Sequence, residues 1–179
     1  MSDVKHRIFI SYHHDDQKEV DEFIKNFSDE KNVFTYRAVG VMSEDIINSK
    51  DPKYVMGQIR KNYIKDSTVT IVLIGKCTWA RRFVDWEIKT SLRQGDTYTP
   101  NGILGILLPS MGRTAKPPER LMANIIGEKA DEGYARWYTY PQRKDSLKNW
   151  IEDAFQARSK RAELIVNSAD MFKNNRTCG

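Results

Sequence analysis

Apolar residues along this chain follow two spacings, and the switches between them outline alternating strands and helices. Arg7 to Tyr12 is a short β-branched and aromatic run that stops at His13-His14-Asp15-Asp16, as a buried strand ending in a polar loop would. Val20, Phe23, Ile24 and Phe27 then recur at helical spacing, with Asp15, Asp16 and Glu19 near the start, where the helix dipole favours acids. Val33 to Val39 forms a weaker strand candidate, and Gly40 to Lys50 shows no period and is expected to be a long loop. Asp51-Pro52 suits the start of a second helix, with Asp51 as N-cap and Val55, Ile59 and Tyr63 on one face. Thr68 to Ile74 is nearly continuously apolar, the pattern of a central strand covered on both sides, and Gly75 ends it.

Trp79 to Gln94 reads as one helix, with Val84, Ile88 and Leu92 as its inward stripe and Gly95 as its stop. At 3.6 residues per turn, Glu87 falls beside that stripe, in line with Trp79 and Phe83. Gly102 to Leu108 is a further buried strand ended by Pro109, and Gly102 and Gly105 within it are expected to mark close packing. The stretch Ser110 to Gly133 is expected to be loop with one short helix around Leu121 to Ile126. Ala135 to Tyr140 reads as an edge strand, and Leu147, Trp150, Ile151, Ala154 and Phe155 mark the last long helix. The tail from Asn167 is polar and expected to fray.

Strands alternating with helices imply a parallel sheet with helices on both sides, an α/β three-layer fold. Five strands suggest the flavodoxin-like order 2-1-3-4-5. Ligands of such sheets bind beyond the carboxyl ends of the strands, where the order reverses between strands one and three. Three segments then meet: Ser11, Tyr12, His13 and His14 after strand one; Gly75, Lys76 and Cys77 after strand three; and Glu87 on the following helix.

A chain of 179 residues that is 40% hydrophobic suits a single domain with its own core. The net charge of +5 does not point to nucleic acid, because the basic residues are scattered among 24 acidic ones. Their densest cluster, Arg158-Ser159-Lys160-Arg161, ends the last helix, where cations complement the dipole. Cys77 and Cys178 stand far apart behind a start that lacks an apolar signal region, so no disulfide framework is expected and a cytoplasmic location fits. The longest apolar runs fall well short of the ~20 residues that span a bilayer, so no membrane partner is expected.

Among site chemistries, metal hydrolysis is poorly supported: the histidines are His6, His13 and His14, with neither CxxC nor HExxH. The phosphate loop GxxxxGK[ST] and the dinucleotide fingerprint GxGxxG are absent as well. A Cys77–His13 pair lacks a nucleophile signature, Ser11 lacks the GxSxG elbow, and Asp15-Asp16 lacks the companions of a phosphoacceptor. Glu87 stands out, since a carboxylate among aromatics needs either an ion pair, with Arg81, Arg82 or Lys89, or a job. One such job is glycosidic. In NAD+ the nicotinamide leaves as a neutral molecule, so the burden is a ribosyl oxocarbenium ion, which a single carboxylate can stabilise while Trp79 or Tyr12 stacks on a base.

Ile8-Phe9-Ile10-Ser11-Tyr12-His13, followed by Thr78-Trp79-Ala80-Arg81-Arg82-Phe83-Val84-Asp85-Trp86-Glu87-Ile88, resembles the TIR-like superfamily, and more narrowly the TIR-like subunit of bacterial Thoeris antiphage systems. The likeness in element order runs from Arg7 to Phe155, which suggests a TIR-like domain over 1–158 and a C-terminal helical extension and polar tail over 159–179. It implies a flavodoxin-like enzyme that takes NAD+ as substrate, without a cofactor or metal, and makes an ADP-ribose-derived signal, often a cyclic isomer, for a separate effector. Glu87 matches the family's catalytic glutamate, while Phe83 stands where many relatives carry tryptophan. Ser11, Tyr12 and His13 match the substrate-binding end of strand one, with Gly75, Trp79 and Phe83 completing the expected site. The 40–50 loop corresponds to a region that gates or assembles such domains. The trigger is left open between a phage-derived protein and self-association into a homo-oligomer. A non-catalytic interaction module, with Glu87 as a surface ion-pair residue, is the alternative.

Overall fold

The computed structural model describes residues 5–28, 33–38, 44–125 and 132–178. Five parallel strands form one sheet in the order β2-β1-β3-β4-β5: β1 (His6–Ser11), β2 (Phe34–Ala38), β3 (Val69–Ile74), β4 (Gly102–Leu107) and β5 (Arg136–Tyr138). This is the expected α/β fold and strand order. The helices are α1 (Gln17–Phe27), α2 (Glu44–Asn48), α3 (Pro52–Ile59), α4 (Arg82–Ser91), α5 (Glu119–Ala123) and α6 (Lys144–Lys160).

Alternation along each strand sorts the core into layers. Ile8 and Ile10 of β1, Ile71 and Leu73 of β3, and Leu104 and Ile106 of β4 pack with Val20 and Phe23 of α1 and Leu147 and Ile151 of α6. The intervening positions face the other way, where Val72 and Ile74 meet Val84 and Ile88 of α4. On that second side Phe9 packs with Ile46, Val55, Ile59 and Trp86, so α2, α3 and α4 share a layer. Ser11, two residues past Phe9, is thereby directed toward α4.

Several expectations are revised. The 40–50 stretch contains α2, because Ile46 buries itself completely beside Phe9; residues 40–43 of that stretch lie outside the described residues. Asp51 does cap α3, accepting from Lys53 N at 3.0 Å with Pro52 behind it, but the helix runs on as a π turn over Arg60–Ile64 that buries Ile64 where the regular period favoured Tyr63. The helix read over Trp79 to Gln94 is two pieces, a single 3₁₀ turn at Thr78–Ala80 and then α4, separated by Arg81 in extended conformation (φ −95°, ψ 122°). Trp79 therefore does not share a helical face with Glu87. Gly102 and Gly105 behave as expected: a Cβ on Gly102 would lie 1.9 Å from the carbonyl oxygen of Ala154. The short helix expected around Leu121 to Ile126 is α5, which ends at Ala123; Ile126 lies outside the described residues.

The tail does not fray. Asn167 to Cys178 lies along α4 as a strap, and Cys178 is disulfide-bonded to Cys77 with a Cα–Cα separation of 5.7 Å, contrary to the expectation of no disulfide framework. The cause is long-range: a buried arginine, Arg120, salt-bridges Asp85 of α4 at 2.9 Å and spends its remaining donors on Asn167 Oδ1, Ala169 O and Asp170 O. The indole of Trp86 donates to Phe172 O at 2.8 Å, and Phe172 N donates to Asp85 Oδ2 at 2.8 Å. Among the described residues no helix is long and apolar enough to cross a membrane.

Candidate functional site

The site lies past the carboxyl ends of β1 and β3, at the point where strand order reverses. Its central group is Glu87, in the middle of α4. That helix is pinned at its far end by a buried polar network: Ser91 Oγ lies 2.7 Å from Thr70 Oγ1 of β3, and Asn101 donates to Thr70 Oγ1 at 3.1 Å. Val84 and Ile88 hold its inner face against the sheet. With that end and the inner face fixed, Glu87 turns toward β1.

There its carboxylate accepts a hydrogen bond from Ser11 Oγ, from the last residue of β1. Glu87 is 5% exposed and Ser11 is fully buried. Among the described residues no cation pairs with Glu87. Lys89 instead donates to Asn167 O and Ala169 O, and Arg82 lies over the rings of Phe83 and Trp86. Arg81, the third candidate, donates through Nη2 to Arg176 O at 3.4 Å, so none of Arg81, Arg82 and Lys89 pairs with Glu87 and the ion-pair explanation does not hold. Burial pushes the Glu87 carboxyl up to about 8, against a smaller downward pull from the Ser11 hydroxyl.

The other expected residues fall at different depths. Tyr12 follows Ser11 and so points to the opposite side of the sheet, packing on the α1 layer and donating to Gln17 Oε1 at 2.7 Å. Burial raises its phenol above the ordinary value. His13 is buried, with Nε2 3.0 Å from Asp15 Oδ2, and burial lowers its pKa, which keeps the ring neutral at pH 7. His14 Nε2 lies 3.2 Å from the other oxygen of Asp15, so the three side chains bring their ligand-type atoms within 4.8 Å of one another. Hydrogen bonding to one shared carboxylate accounts for that grouping.

Gly75 is buried after β3, donating to Thr78 Oγ1 at 2.8 Å. Phe83, one turn before Glu87, packs edge-on against Trp86, with ring centroids 5.5 Å apart. Trp79 is half-buried on the 3₁₀ turn, and Lys116 Nζ stands 3.5 Å above its ring. The strand-end hydroxyl and the helix acid are thus in contact, while Gly75 meets Thr78 and Asp16, and Phe83 and Trp79 make their contacts with Trp86 and Lys116.

Asp16 was not among the expected site residues. Its carboxylate leans over Gly75 so closely that a Cβ there would lie 2.2 Å from Oδ2, and that oxygen is buried with no hydrogen-bond partner among the described residues. Burial raises its pKa. The available signal was Gly75 itself: a glycine directly after a buried strand often marks a close approach by another group.

Residues 9–113, more than half of the chain, match the family described as Thoeris protein ThsB, TIR-like domain. No curated protein matches the chain.

Proposed function

We propose, from the premise that this chain belongs to the TIR-like domain family of Thoeris protein ThsB, that it cleaves NAD+ at the nicotinamide–ribose bond and makes an ADP-ribose-derived signal. Membership makes it a TIR-like antiphage defence protein. The observation that carries the finer reading is the contact of Ser11 with Glu87: an acid without a cationic partner, buried at the switch point of the sheet.

Chemistry explains why such an acid suits this substrate. The bond between the anomeric carbon and the pyridinium nitrogen breaks with its electron pair going to nitrogen, so nicotinamide leaves neutral and no general acid is needed. Positive charge then develops on the ribosyl carbon, and Glu87 gains attraction as it does. A carboxyl that holds its proton up to about pH 8 when alone ionises more readily once the cationic nicotinamide ring is beside it. Ser11 orients the carboxylate, His13 and Gly75 line the approach of the ribose, and Phe83 and Trp79 offer surface to a base. Exclusion of water from the bound substrate decides whether the ribosyl cation is hydrolysed or closed into a cyclic product by a group of the same substrate. The product then acts on a separate effector.

A non-catalytic interaction module is the second reading: at 5% exposure Glu87 offers little surface to a substrate, although the same burial removes the surface ion-pair role that reading gave it. Nicotinamide release from NAD+, followed by chromatography and mass spectrometry on concentrated protein with and without lysate of infected cells, separates the two. Release by the wild type and none by Glu87→Gln is expected. No release under any of these conditions would sink the enzyme reading, and equal release by the variant would remove Glu87 from the chemistry.

A further inference from the structure

The strap over α4 is anchored in two unequal parts. From Asn167 to Phe172 its partners are Arg120, Asp85 and Trp86, all buried, together with the half-buried Lys89. From Lys173 to Cys178 its contacts are surface ones that water can contest: Arg82 Nη1 to Lys173 O at 3.3 Å, Arg81 Nη2 to Arg176 O at 3.4 Å, and an exposed ion pair of Arg176 with Glu119. The covalent bond of Cys178 to Cys77 closes this outer part.

Two features give the outer part a consequence. Arg81, at the start of α4, offers no side-chain cap, and the amide of Arg82 is instead satisfied by Asn175 Oδ1 at 2.9 Å, while Arg176 N donates to Ala80 O at 2.8 Å. Asparagine is a favoured capping residue, supplied here from 93 positions away. Strap residues 170–174 also form one wall of a cleft of about 740 Å³ whose other walls include Asn48, Pro52, Arg82 and Trp86, and of that wall Lys173 and Asn174 belong to the outer part.

We propose that the Cys77–Cys178 bond is a redox latch: it holds residues 173–178 over the start of α4, and its reduction frees them, uncaps α4 and widens that cleft at Lys173 and Asn174, while 167–172 stay docked. Cys77 is two residues from Gly75, so the latch acts on both segments that frame the proposed site. Its effect on NAD+ cleavage rests on the preceding functional reading; the release itself does not.

The step balances with a dithiol as reductant. One thiolate of the dithiol attacks Cys178 Sγ, Cys77 leaves as a thiolate, and the second thiol resolves the mixed disulfide. Two electrons pass from the dithiol, which ends as its own disulfide, and Cys77 and Cys178 end as thiols. Disulfides that meet intracellular thiols are commonly transient and redox-sensing.

Amide hydrogen exchange of the full chain, oxidised and then reduced with dithiothreitol, tests this. Reduction is expected to speed exchange at the amides of Arg176 and Arg82 at least about tenfold, with Phe172 unchanged, and Cys178→Ser is expected to match the reduced protein. Asn175→Ala, which keeps both cysteines, should speed Arg82 but not Arg176. Unchanged exchange at Arg176 and Arg82 on reduction overturns the latch, as does equal loss of protection at Phe172. Release of the strap with no NAD+ cleavage in either redox state would count against the NAD+ reading and leave the latch supported.

Discussion

The hydroxyl of Ser11 donates to the carboxylate of Glu87 across 76 positions of sequence, joining the end of β1 to the middle of α4. Both residues are buried, so this bond fixes the acid where the sheet reverses its order. Ser11→Ala leaves a buried acceptor without its donor, at a cost of about 1–3 kcal/mol in chemical denaturation. Because the Ser11 bond lowers the Glu87 pKa, the variant should also shift the rising limb of any pH–rate profile to higher pH.

The pH dependence of stability follows from the same carboxyl. Folded Glu87 keeps its proton up to about 8, whereas the unfolded chain releases it near 4.5. Between those values the folded state binds more protons, so stability falls as pH rises through the window, by about 1.4 kcal/mol per pH unit at the steepest. Glu87→Gln removes the contribution, and denaturation midpoints of wild type and variant compared from pH 5 to pH 9 should converge at the acid end and part toward the alkaline end, with the variant the more stable. Parallel curves would show that Glu87 is already ionised in the fold. In the free enzyme, kcat/KM for NAD+ should rise with pH toward a plateau above about 8.

Gly75→Ala tests the close approach of Asp16. The added methyl carbon would lie 2.2 Å from Asp16 Oδ2, so the Asp16 carboxyl must swing away from the end of β3. Displacing that group beside the proposed site should lower kcat/KM for NAD+ cleavage by up to about tenfold. The double variant Gly75→Ala with Asp16→Ala should recover most of that loss, and a failure to recover would place the effect elsewhere.

Arg120 ties α5, α4 and the strap together through a buried pair with Asp85. Arg120→Met strands the Asp85 charge and should cost about 3–5 kcal/mol. Limited proteolysis of the same variant should cut within 167–172, a segment the wild type protects.

What could be read from the chain was whatever local spacing controls. The strands β1, β3 and β4 are nearly continuous apolar runs, and such runs bury only as covered parallel strands, so the layer structure and the strand order follow from spacing and the rules of chain connection. Glu87 stood out because an acid among aromatics is costly without a partner. Tyr12, next after Ser11, packs on the α1 side, as the two-residue period of a strand directs.

Tertiary structure decided the rest. Nothing near Asn167 in sequence indicates that it docks, because its partners Arg120, Asp85 and Trp86 converge only after the sheet has formed. The disulfide likewise joins cysteines 101 positions apart, a proximity that no spacing rule encodes. The sequence by itself determined the layers and the acid on α4, since hydrophobic period acts over one or two turns. Only the folded chain settled that this acid faces Ser11 rather than a cation, and that a strap crosses its helix, because burial and partner choice are properties of the assembled packing.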